Sequence, residues 1–157
     1  MSANFRIVGL PRAQFEPLFS LNEKELAAKD ARRIIVDVKP GFPCRIGLVD
    51  AEIGETVILL PFVHHDVDSP YRASGPIFVR EQANEVNLTP GKIPELVMSR
   101  TMSVRAYDAT GMMLDGSVVA GPNMKSHIEK LFANQKIAYL HLHNAGAGCY
   151  SCKVERA

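Results

Sequence analysis

The sequence has no tryptophan, only three cysteines and no excess of either charge. An odd, sparse set of thiols at Cys44, Cys149 and Cys152 excludes a disulfide framework and fits a reducing compartment. With 18 Lys plus Arg against 17 Asp plus Glu, the net charge of +1 offers no basic field for nucleic acid or an anionic membrane. Apolar runs such as VILLPFV (57–63) fall far short of the roughly 20 residues that a membrane span needs. The N-terminus also lacks the charged and apolar regions of a signal peptide. These absences lead us to expect a cytoplasmic protein with neither nucleic acid nor membrane as partner. The phosphate-binding pattern G-x-x-x-x-G-K-[ST] and the nucleophilic-serine pattern G-x-S-x-G are missing too.

What is present is an ordinary globular composition, 46% hydrophobic and 22% charged over 157 residues. That length fits one domain with a core of its own. Short β-type runs recur at 5–10, 32–38, 44–49, 55–63, 76–81, 102–108, 113–120, 136–143 and 149–155, separated by turns such as KPGFP, DAEIG and DATG. Two helices interrupt them. Asn22 and Glu25 form a capping box, with Leu21 and Leu26 as a hydrophobic staple, for a helix over 23–31. Pro122 opens the second, and Met124, Ile128, Leu131 and Phe132 mark its apolar face. The order predicts an α+β fold: a mostly antiparallel twisted sheet or partly closed barrel with two main helices. The longer loops, at 66–76 and 81–92, are of a length that often carries function.

The stretch HLHNAGAGCYSC (141–152) gathers two histidines and two cysteines. A hairpin with a loop over 144–148 pairs His143 with Cys149, His141 with Ser151, Leu140 with Cys152 and Tyr139 with Lys153. It sorts Ala138, Leu140, Leu142, Tyr150, Cys152 and Val154 onto one face, and Tyr139, His141, His143, Cys149, Ser151, Lys153 and Glu155 onto the other. Residues three apart on a strand point oppositely and lie roughly 10 Å apart. Cys149 and Cys152 therefore cannot share a zinc or a disulfide, and Cys152 goes to the core. His143 and Cys149 remain as candidate catalytic base and nucleophile, because an imidazole that takes the thiol proton stabilises the thiolate. With His141, the same groups make an alternative zinc site with an open position.

A second cluster lies in PCR (43–45) and SPYRASGP (69–76). Arg45 and Arg72 form a candidate clamp for a carboxylate or phosphate, with hydroxyls from Tyr71 and Ser74 and a close backbone approach at Gly75. The competing reading ties the arginine to backbone carbonyls or to Asp66 and Asp68. Of His64 and His65, alternation lets one face a site shared with His141 or His143. Arg105 and Tyr107 share a polar strand face, and His127 borders a helix stripe; nothing local selects any of them.

The motifs PCR (43–45), SPYRASGPIFVR (69–80), VRAYD (104–108) and HNAGAGCY (143–150) together resemble domain of unknown function 1203, a family of uncharacterised bacterial proteins. The resemblance implies a bacterial source and one domain, and supplies no activity, cofactor or catalytic residue. Three functions stay open. The first is a small-molecule ligand, anionic in character, bound by Arg45, Tyr71, Arg72, Ser74 and His141 beside the His143–Cys149 pair. The second is a metal-binding protein using His141, His143 and Cys149 with His64 or His65, and the third is a non-catalytic interaction module. Enzyme activity, cofactor and oligomeric state are not specified by the sequence.

Overall fold

The computed structural model describes residues 4–157. Among the described residues, eight strands form two antiparallel sheets: β1 (Phe5–Val8), β8 (Tyr150–Arg156), β7 (Tyr139–Asn144), β5 (Thr101–Tyr107) and β6 (Met113–Ala120) in the first, in that spatial order. The second is β2 (Arg32–Ile35), β3 (Thr56–His65) and β4 (Ala73–Arg80). Neither closes into a barrel. Among the described residues the α-helices are four and short: α1 (Glu16–Phe19), α2 (Glu23–Ala27), α3 (Glu95–Met98) and α4 (Met124–Phe132). The mostly antiparallel character is as predicted, whereas two main helices give way to four, of which α4 alone exceeds two turns.

Alternation along the five-stranded sheet builds two different layers. Met102, Val104, Ala106, Leu140, Leu142, Cys152 and Val154 point to one side, where Met124, Ile128 and Phe132 of α4 complete a dry core. The opposite side carries Tyr107, Tyr139, His141 and His143 and faces the three-stranded sheet, whose Ile58, Leu60, Ile77 and Val79 belong to a second core with Tyr150. The candidate histidines His141 and His143 thus sit between the sheets, not at an outer surface.

Three sequence expectations need correction. Cys44–Val49 is not a strand; it makes isolated bridges, Pro43 to Asp50 and Cys44 to Phe78, around a turn in which Leu48 has φ of 53°. β4 begins at Ala73, so the last four residues of the anticipated 66–76 loop are sheet. The helix predicted to reach residue 31 stops at Ala27, where Asp30 turns left-handed at φ 57° and the Ala31 amide donates back to the Leu26 carbonyl.

The start of α2 is as read from sequence, with both capping-box bonds formed and Leu26 buried. Asn22→Ala is expected to lower stability by about 1 kcal/mol, the usual worth of such a cap. An unchanged urea midpoint would show that packing alone holds the helix.

Candidate functional site

The hairpin of β7 and β8 aligns the site, but two residues out of the predicted register. His141 stands opposite Lys153 and Leu142 opposite Cys152; a bulge then follows, and His143 meets Tyr150. An even shift preserves faces, so His141 and His143 still share one side and Cys152 is in the core. The bulge reverses one assignment. Tyr150, expected among the apolar residues with Leu140, instead stands with the histidines.

A second bulge, between Phe62 and His65 of β3, supplies the rest. It breaks strict alternation, so both His64 and His65 reach β7. The His64 ring lies 4.9 Å from that of His143 and stacks on Tyr150 at 5.4 Å, while the His65 ring lies 5.1 Å from His141. The two have different chemistry. The Tyr71 carbonyl can only accept, so His65 Nδ1 carries its proton and donates to it at 2.8 Å. His65 Nε2 then accepts from the Tyr139 hydroxyl at 2.6 Å, which leaves no lone pair free.

His64, His141 and His143 are the opposite case. One ring nitrogen from each lies within 4.8 Å of the others, and each ring has a buried nitrogen without a hydrogen-bond partner: His64 Nδ1, His141 Nδ1 and His143 Nε2. His143 Nδ1–H donates to the Gly148 carbonyl at 2.9 Å, which leaves Nε2 as a lone pair aimed away from the loop. Burial pulls His64 to about 4, His141 to about 2 and His143 to about 4, with the Arg105 charge adding to the effect at His64 and neighbouring imidazoles at His141. The Gly148 bond partly opposes it at His143. All three are neutral at pH 7.

Cys149, the predicted partner of His143, does not join this trio. It precedes β8, and its Sγ accepts from Asn144 Nδ2 at 3.2 Å. It instead lines a cavity of about 400 Å³ with Arg45, Ser74, Gly75 and His64. Arg45 is 2% exposed; its Nε donates to the Tyr150 carbonyl at 2.8 Å and its Nη1 to the Pro43 carbonyl. Arg72 is at the surface in an ion pair with Asp66, and Tyr71 is exposed with its carbonyl on His65. The expected Arg45–Arg72 clamp is therefore not formed. Arg45, Ser74 and Cys149 come together, with His64 as the wall shared with the trio.

Arg105 and Tyr150 are the participants that sequence reasoning did not select. Arg105 pairs across β5–β7 with His141, and its alternation with Tyr107 was the one available sign. No signal in the chain marks the bulge that turns Tyr150.

The fold and this arrangement define a two-sheet antiparallel α+β protein with a buried cluster of neutral histidines between its layers. A family model described as protein of unknown function (DUF1203) matches residues 41–156, and the chain belongs to that family. No curated protein and no solved structure matches it. Among the described residues no helix is long and apolar enough to cross a membrane.

Proposed function

We propose that the protein binds a transition metal, zinc by ligand preference, through His64, His141 and His143. Two observations carry this reading: one ring nitrogen from each of the three lies within 4.8 Å of the others, and each ring keeps a buried nitrogen with no hydrogen-bond partner. Leaving a buried polar group unsatisfied costs about 1–3 kcal/mol, and one ion satisfies three at once. Tetrahedral zinc, with Zn–N near 2.0–2.1 Å, draws its ligand nitrogens to roughly 3.3 Å apart, a closure that small ring rotations supply.

The donor set narrows the metal. All three ligands are imidazoles with no carboxylate among them, which disfavours calcium and magnesium and suits zinc, copper or nickel. His143 shows the outer-shell bond typical of ligating histidine, its far N–H on a backbone carbonyl. Three protein ligands leave a fourth position for water or a ligand atom. Neutral imidazoles need shed no proton before binding.

Full-length protein without a histidine tag, treated with chelator and then titrated with zinc, tests this. One equivalent is expected to bind and, at a thousandfold excess over Kd, to add about 4 kcal/mol, or roughly 10 °C in melting temperature. Absence of both stoichiometric binding and a thermal shift refutes the metal reading.

A further inference from the structure

The cavity beside the trio poses a separate electrostatic problem. Arg45 is buried and positively charged, yet among the described residues no carboxylate pairs with it, and the cavity walls contain no Asp or Glu. Buried charges are normally paired, since the penalty for removing one from water is several-fold larger than that of a neutral group. Two backbone carbonyls take Nε and one N–H of Nη1, and the neighbouring Cys149 thiol is the remaining polar contact, so no anionic carboxylate balances the charge. A guanidinium keeps its proton in proteins, so the imbalance is not relieved by titration.

We infer that this cavity is the recognition site for a small monocarboxylate with an apolar body, its carboxylate held by Arg45 and Ser74 and its body directed toward His64. The planar guanidinium presents parallel N–H groups that match a carboxylate. Ser74 adds a hydroxyl, while Leu59, Pro76, Phe78 and the Tyr150 ring supply apolar wall. The space is built into the backbone. Gly75 lines the cavity, and a Cβ added there would meet nothing within 4 Å. His64 lines this cavity and also belongs to the trio, so a bound carboxylate places its other end beside the proposed metal's open position. That last point rests on the metal reading; the anion subsite itself does not.

Benzoate serves as probe, titrated by calorimetry into full-length protein both chelator-treated and zinc-loaded. Binding is expected in both forms, at least tenfold weaker in Arg45→Met, and abolished in Gly75→Leu, which narrows the cavity that Gly75 lines. Both variants are expected to retain the zinc stoichiometry of the wild type. If Arg45→Met fails to fold because its two carbonyl contacts are lost, Gly75→Leu still decides. Zinc binding with no benzoate affinity, or benzoate affinity indifferent to Gly75→Leu, overturns the subsite and spares the metal centre. Benzoate binding that is lost in Gly75→Leu, in a protein that takes no zinc, supports the subsite and refutes the metal reading alone. Equal affinity for inorganic phosphate overturns the carboxylate assignment.

Discussion

His141→Ala is expected to weaken zinc binding by at least a hundredfold. Outer-shell partners of metal-bound histidines are each worth about 10–100-fold in affinity, and a direct ligand contributes more. His141 is the central member: it is 4% exposed and lies in edge-on contact with Tyr150 at 5.0 Å and with Tyr107 at 5.4 Å, so no water replaces the lost nitrogen at low cost. The residue also pairs with Arg105 on β5 and Lys153 on β8, which hold its backbone without help from the ring. The variant should therefore fold. His127→Ala is the matched control, because His127 lies outside the trio on α4, bonded to the Ser117 hydroxyl at 2.8 Å. Competition with a chromophoric chelator gives both affinities, and circular dichroism reports the fold. Equal zinc affinity in the two variants would place the metal elsewhere or nowhere.

Acid should unfold the metal-free protein in a window set by the same three rings. An unfolded histidine takes its proton near pH 6.5, whereas in the fold His64 and His143 resist until about 4 and His141 until about 2. Their folded values are depressed. The unfolded state therefore binds more protons below pH 6.5, and stability falls as pH drops from there toward 4. Each imidazole that stays neutral contributes a slope of about 1.4 kcal/mol per pH unit. Three of them remove several kcal/mol by pH 4.5, a large part of the 5–15 kcal/mol that holds a typical domain. Urea midpoints at pH 7.0, 6.0 and 5.0, above most carboxylate titration, isolate the effect. His141→Leu should lessen the slope by about one third, since one of three equivalent contributions is removed. A slope identical to that of the wild type would mean that the rings already take up protons in the fold.

These expectations draw on parts of the molecule that differ in how openly the chain displays them. The Asn22–Glu25 cap is visible because it is local: both partners lie within one turn. The division of Leu140, Leu142 and Cys152 from His141 and His143 is equally visible, because it depends on a period of two that any even change of register preserves. The register itself was misread by two residues, since NAGAG fits loops of more than one length and the hydrophobic pattern is blind to even slips. Tyr150 was assigned to the wrong side because a bulge depends on how two strands meet, not on the bulged residues alone.

The pairing of His143 with Cys149 illustrates the limit. Proximity in sequence favoured the thiol, yet the third imidazole comes from β3 in another sheet, brought in by packing and by a bulge next to it. Arg45 was recognised as a site residue for its chemistry, while its partner Arg72 turned out to neutralise Asp66 at the surface. By itself the sequence determined the antiparallel α+β class, the core side of each hairpin strand and the presence of two histidines on one face, all consequences of local periodicity. Only the tertiary structure decided that a third histidine faces them, that each of the three rings keeps a buried nitrogen without a partner, and that a buried arginine stands beside them with no carboxylate to pair with. Burial and the meeting of two sheets are properties of distant segments, and no local pattern records them.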